Sequence, residues 1–213
     1  MTGLARLVDE LVVVGRKAVA AGLVIGSGGN LSARLAGADE CVVTGSGTWL
    51  DELTPDDFSV VAVADGQVRS GAPRPSSEVA LHLATYRVRP DVNAIVHLHP
   101  QTSVLLDALG LPIRLLTIDH AYYVREVRST PFVQSGTQEL ADVGAAAAAG
   151  GANCIVLGHH GCSALGDTVD LAHKRAANLE EAARATLVML QLGDTTTACP
   201  PSYLETVLAR ERA

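Results

Sequence analysis

The segment His97-Leu98-His99 sets two imidazoles two residues apart. In a strand such residues point to the same face, about 6.6 Å apart along the chain. Both can then converge on one cation at about 2.0–2.1 Å, with Leu98 turned into a core. Read from this tripeptide alone, a ligand pair and a pair of surface or satisfied core histidines stay equally open. A second signal is Gly158-His159-His160-Gly161, directly after the apolar run Cys154–Leu157. Three neutral imidazoles plus an open position form a catalytic zinc arrangement. Of two adjacent histidines only one easily faces the same ion, and the other is expected to make an outer-sphere or core hydrogen bond.

A third signal, Pro75-Ser76-Ser77-Glu78, places a carboxylate in the first turn of a helix, where the dipole stabilises it. Alone, the tetrapeptide reads first as an ordinary helix start. Lysine chemistry offers no alternative: the two lysines, Lys17 and Lys174, each fall in an amphipathic helical pattern. A Schiff-base amine needs a desolvated pocket. Carbanion chemistry next to a carbonyl would therefore need a metal here.

The elements that must position these groups follow from periodicity and punctuation. Leu4, Leu7, Val8, Leu11 and Val12 repeat at helical spacing up to the stop signal Gly22. After the glycine-rich turn Gly26–Asn30, a strand is expected over Glu40–Thr44, ending at Gly45-Ser46-Gly47. Phe58–Ala64 and Gln67–Arg69 flank Asp65-Gly66 as a hairpin. Ser76 or Ser77 caps a helix running to about Val88, before Pro90. Strands are expected over Asn93–His99, Ile113–Ile118 and Cys154–Leu157. Helices are expected over Thr102–Leu109, from Thr137 to Ala149, over Thr168–Leu192 and after Pro200-Pro201. The hairpin and lone strands break any regular βαβ alternation, which points to an α/β domain of three α/β/α layers around a largely antiparallel sheet. Asp119 and His120 read as a loop ion pair, His82 as a structural or exposed helix residue, and Arg125 and Arg128 as surface charges.

The whole chain bounds the partners. Its 213 residues suit one domain, 1–213, with 48% apolar and 18% charged residues. A net charge of −7 argues against nucleic acid or an anionic membrane surface. No charged-then-apolar leader and no uninterrupted apolar run long enough to span a bilayer are present. Cys41, Cys154, Cys162 and Cys199 form no paired framework and read as reduced thiols of a cytoplasmic protein.

Taken in order, Gly29-Asn30-Leu31-Ser32, Pro75-Ser76-Ser77-Glu78, His97-Leu98-His99 and His159-His160-Gly161 resemble the class II aldolase/adducin family, from about residue 5 to 192. The resemblance implies a class II aldolase-like fold and one Zn²⁺ per chain on His97, His99 and His160. Glu78 would hold the metal's fourth position in the empty enzyme and leave it to act as the base. The resemblance further implies a phosphate cradle of Ser27, Gly29 and Asn30, of Ser46 and Gly47, and of Ser76 and Ser77. Backbone amides and hydroxyls suit an anion in a chain poor in cations. The implied reaction is retro-aldol cleavage of a phosphorylated ketose, fuculose 1-phosphate-like, to dihydroxyacetone phosphate and an aldehyde. Epimerisation, decarboxylation and dehydration of sugar phosphates use the same ligand set. A non-catalytic adducin-like module would lack it, and a zinc hydrolase would carry its glutamate in H-E-x-x-H context. The sequence departs from the aldolase pattern where a tyrosine follows the Leu111-Pro112 segment. Leu116 falls at that position, leaving Tyr122, Tyr123 or His120 nearby, with Tyr122 taken as the proton donor. Tyr203 resembles a second family tyrosine that reaches a neighbouring subunit's site, which implies a homotetramer with its sites at subunit interfaces.

Overall fold

Leu11, Val14 and Ala18 recur at three- and four-residue steps, and the chain winds there into helix α1 (Gly3–Ala20), burying all three. A computed structural model describes residues 3–71 and 74–211. Beyond α1 the chain forms β1 (Asn30–Ala33), β2 (Glu40–Thr44), β3 (Phe58–Ala62), β4 (Val68–Ser70), α2 (Val79–Val88), β5 (Ala94–Leu98), α3 (Gln101–Ala108) and α4 (Ile118–Tyr123). Then follow β6 (Val127–Thr130), α5 (Gln138–Ala149), β7 (Cys154–Leu157), β8 (Gly161–Gly166), α6 (Val169–Gln191) and α7 (Pro201–Glu211). Thr137 and Thr168 cap α5 and α6, their hydroxyl oxygens accepting the N–H of Leu140 and Leu171.

The strands make one sheet in the order β4-β3-β2-β1-β5-β8-β7-β6. Every pairing is antiparallel except that of β6 with β7. Alternation sorts its side chains into two cores. Leu31, Val42, Val96 and Leu98 face α1 and α6. Cys41, Val43, Ile95 and Leu165 face α2 and α5. Asn30 and Ser32 on β1, and His97 on β5, therefore lie on the α2 side. This is the expected three-layer α/β/α arrangement around a mostly antiparallel sheet, with Leu98 in the core as its position in His97-Leu98-His99 required.

Two expectations change. Ile113–Ile118 is not a strand: residues 111–116 have no regular structure, and α4 starts at Ile118. The backbone donors there go to side chains rather than a ladder, Arg114 N–H to Thr186 Oγ1 at 2.9 Å and Leu116 N–H to His120 Nδ1 at 3.3 Å. His120 does not pair with Asp119 in a loop. It is buried, and its Nε2 meets Glu181 of α6. No described helix is long and apolar enough to cross a membrane. Lys17 and Lys174 are exposed on α1 and α6, Lys174 at 2.7 Å from Asp170, so neither sits in a desolvated pocket.

Candidate metal centre

Strand register gathers the chemistry at one end of the sheet. Asn30 at the start of β1 faces His97 near the end of β5, and Leu98 faces Cys162 at the start of β8. β7 ends at Leu157, and the turn that follows presents His160 to the same place. Close approach sets the size limit at the crossing points. A Cβ on Gly161 would lie 2.5 Å from the Leu98 carbonyl oxygen and 2.6 Å from the His99 ring. Gly29, at φ 74°, leaves no room for one against the His97 carbonyl oxygen, 2.7 Å away. Downstream, Glu180 of α6 fixes the start of α3, its carboxylate accepting from Thr102 N–H, Ser103 N–H and the Ser103 hydroxyl. That anchors the backbone just past His99.

Glu78, His97, His99 and His160 bring one ligand atom each to within 4.8 Å of one another. His97 Nε2 lies 3.2 Å from His99 Nε2 and 3.2 Å from Glu78 Oε2, and His160 Nε2 lies 3.2 Å from Glu78 Oε1. Ligands at about 2.0–2.1 Å around a tetrahedral ion stand about 3.3 Å apart, so these spacings are the edges of such a site. His97 Nδ1 is 3.2 Å from Ser163 Oγ. A proton on Nδ1 there turns the Nε2 lone pair toward the cluster. Burial pushes the His99 imidazole down to about 4, helped by the neighbouring His97 and His160 and opposed by Glu78. His160 moves down for the same first reason, burial. Both are neutral at pH 7, as metal ligands must be. Burial works to raise the Glu78 carboxyl, but His97, His160 and the Asn30 amide outweigh it and hold it well below the usual carboxylate range. The residues present fit a divalent cation.

The sequence model described as "Class II Aldolase and Adducin N-terminal domain" matches residues 9–187. The chain belongs to this family. An L-fuculose phosphate aldolase of Methanocaldococcus jannaschii is 33% identical over 85% of this chain and 96% of its own. A 5-methylthioribulose-1-phosphate/5-deoxyribulose-1-phosphate aldolase of Rhodospirillum rubrum is 34% identical over 94% of this chain and 88% of its own. The solved structure of an L-fuculose 1-phosphate aldolase superposes with a TM-score of 0.88 at 28% identity, covering 100% of this chain and 98% of its own. These likenesses place the chain among the family's aldolases, which are lyases, rather than among its non-catalytic members.

The segments expected to cradle phosphate in this class II aldolase lie beside the cluster. Gly45 bridges to Pro75, Ser46 N–H donates to the Arg74 carbonyl at 2.8 Å, and Ser76 N–H to the Thr44 carbonyl at 3.0 Å. Thr44 Oγ1 also accepts Leu31 N–H at 3.1 Å, joining the loop that ends at Asn30 to the other two. Ser27, Ser46, Gly47 and Ser77 are exposed there, and Gly29 is half-buried. Ser76 is buried, its hydroxyl oxygen accepting Glu78 N–H at 3.2 Å. Helix α2 itself starts at Val79, so Glu78 sits at its cap position rather than inside the first turn. Asn30 is committed at both ends of its amide, Nδ2 donating to Glu78 Oε2 at 2.8 Å and Oδ1 lying 2.5 Å from His82 Nε2.

Other candidates are placed elsewhere. His159 takes a left-handed backbone (φ 56°) and turns outward, its ring centroid 6.3 Å from that of Phe132, rather than into an outer-sphere or core hydrogen bond. Tyr122 and Tyr203 come together, lining one cavity of about 460 Å³ with Thr206, Val207 and Arg210. Tyr122 also lines a second cavity with Asp91, Val92, Gly166 and Asp167. That is the end of β5 and β8 opposite the histidines, roughly 13 Å of strand away. Neither tyrosine is at its own chain's metal cluster. His82, read as structural or exposed, is buried one step from Glu78. The signal that could have found it is the four-residue step from Glu78 to His82, one turn of the same helix face.

Proposed function

We propose that the chain is a zinc-dependent aldolase that cleaves a ketose 1-phosphate, of the L-fuculose or 5-deoxyribulose type, to dihydroxyacetone phosphate and a short aldehyde. The observation that carries this reading is the convergence of Glu78 with His97, His99 and His160 at tetrahedral spacing. The names of the relatives supply the substrate class. When bound, the divalent ion supplies Lewis-acid stabilisation of the enediolate charge that carbon–carbon cleavage creates. His97, His99 and His160 would hold it through their imidazole nitrogens.

Glu78 is the acid–base group. As the C3–C4 bond breaks, its electron pair enters the carbonyl system, and Glu78, ionised at rest and protonated from solvent before this step, gives its proton to C3 to complete dihydroxyacetone phosphate. In condensation, Tyr122 or Tyr203 of a neighbouring subunit gives its hydroxyl proton to the aldehyde oxygen. In cleavage the C4 hydroxyl returns it. Ser27, Gly29, Asn30, Ser46, Gly47, Ser76 and Ser77 form the segments that hold the phosphate, with Asn30 and Ser76 shaping them from beneath. The free, mostly buried thiols Cys41, Cys154 and Cys162 suit the cytoplasm.

A panel of ketose 1-phosphates and pentulose 5-phosphates tests the reading, with products identified by mass and by a coupled assay for dihydroxyacetone phosphate. Release of dihydroxyacetone phosphate and an aldehyde from a ketose 1-phosphate is the expected result. Epimerised or decarboxylated product without carbon–carbon cleavage would replace the aldolase reading.

A further inference from the structure

Glu78 at the cap of α2, and His82 and Tyr86 within it, follow one another at four-residue spacing and so line one face. Opposite them, Asn30 and Ser32 share one face of β1. The two sets interlock through short contacts. Tyr86 Oη is 2.8 Å from Ser32 Oγ, Ser32 Oγ 2.6 Å from His82 Nδ1, His82 Nε2 2.5 Å from Asn30 Oδ1, and Asn30 Nδ2 2.8 Å from Glu78 Oε2. The Arg34 guanidinium stacks 4.5 Å from the Tyr86 ring centroid at the far end. All five side chains of the series are buried.

Chemistry fixes the direction of every bond. An ionised carboxylate only accepts, so Asn30 must turn its NH₂ to Glu78 and its oxygen to His82. The oxygen needs a donor, which makes His82 the Nε2–H tautomer with a lone pair on Nδ1. Ser32 then donates to Nδ1 and accepts from Tyr86. Burial pushes His82 down to about 3, with the nearby His97 ring as a lesser cause and Glu78 opposing, so it is neutral at pH 7. Four donors thus point one way and end on the carboxylate of the metal cluster. Its other oxygen, Oε1, is buried without a hydrogen-bond partner among the described residues, although His160 Nε2 is 3.2 Å away. Placing this many polar groups in a core is costly unless all are satisfied, and this series satisfies each link up to Glu78.

We propose that His82 is a positioning residue for Glu78: through the Asn30 amide it holds Oε2 in place and leaves Oε1 as the oxygen that exchanges a proton with substrate. The role of Oε1 rests on the proposed aldolase function; the hydrogen-bond direction does not. Replacing His82 by Phe removes the donor and frees the amide to turn its oxygen against the carboxylate. His82→Gln keeps an N–H donor at similar reach.

Two measurements test this. In metal-free, ¹⁵N-histidine-labelled protein at pH 7, His82, assigned from its contacts to Ser32 and Asn30, should be the neutral Nε2–H tautomer with a solvent-protected N–H. An Nδ1–H tautomer or an imidazolium overturns the proposal without any variant having to fold. In metal-loaded enzyme, His82→Phe should lower kcat and solvent-deuterium exchange into dihydroxyacetone phosphate by about 10–100-fold, with metal content unchanged and KM within about threefold. His82→Gln should keep most of both rates. Equal losses in the two variants, no loss in either, or a change in KM alone overturns the positioning role. If the wild type neither exchanges nor cleaves any ketose phosphate, the proposed function falls, and the tautomer measurement still decides the direction of the relay.

Discussion

At the scale of single residues, the metal cluster rests on donors whose protonation is settled by burial for the imidazoles and by polar neighbours for the carboxylate. His99 and His160 are held neutral, and Glu78 is held ionised by the imidazoles and the Asn30 amide facing it. A His97→Ala, His99→Ala double variant is expected to lose bound metal, measured by elemental analysis, together with turnover. Stoichiometric metal in that variant would remove the ligand assignment. Glu78→Gln should keep the fold and most of the metal but slow exchange of solvent deuterium by about 10²–10⁴-fold, the usual contribution of a general base. Near-normal exchange would hand the role to another group. That His97 and His99 share one face was legible because a strand fixes their direction, whereas the choice of His160 over His159 rested on the family resemblance and not on local geometry. The partners of Glu78 were not legible. Whether Asn30 lies beneath a phosphate or beside a carboxylate depends on which face of β1 meets α2, and local spacing does not carry that.

At the scale of elements, the seam between α2 and β1 makes stability depend on pH. His82 titrates near 3 in the fold against about 6.5 in an unfolded chain, and His99 near 4, in both cases chiefly through burial. Below about pH 6.5 the unfolded chain takes up protons that the folded chain refuses. Stability is therefore full above that pH and falls as pH drops toward 4, by about 1.4 kcal/mol per pH unit for each such group. The urea midpoint of metal-free protein should decline between pH 7 and 4.5, and less steeply in His82→Phe. A midpoint independent of pH would contradict the burial of neutral imidazoles. Helices capped by threonine and the hairpin at Asp65-Gly66 were readable because capping and turn chemistry are local. β1 and β8 were not: Asn30–Ala33 and Gly161–Gly166 hold few β-branched or aromatic residues, and only their neighbours in the sheet make them strands. Ile113–Ile118 errs the other way, apolar enough for a strand, but Ile113 and Leu115 pack half-buried against the small core around Val124 and Leu179 without a ladder partner.

At the scale of the whole molecule, the tyrosines and the histidines occupy opposite ends of the same strands, so one chain does not bring them together. Tyr203 rides on α7, which packs against α4 and meets Tyr122 there. The segment leading to α7 is tied down before it starts. Arg114 donates to the Asp194 and Thr197 carbonyls at 2.9 and 3.1 Å, and Cys199 N–H donates to the Leu115 carbonyl at 2.7 Å. A chain ending at Thr197 keeps the Arg114 anchors and the whole metal cluster while losing Tyr203. It should fold and bind metal like the full chain but turn over substrate far more slowly. If the tyrosine acts in a neighbour's site, Glu78→Gln and Tyr203→Phe chains assembled together rebuild complete sites from two defective parents. Random mixing in a cyclic tetramer leaves about a quarter of the sites with both groups intact, so roughly a quarter of the native rate should return. A fully active monomer, an unaffected truncation, or mixed assemblies no faster than the sum of their parents would separate Tyr203 from the chemistry and leave the metal centre to act with groups of its own chain.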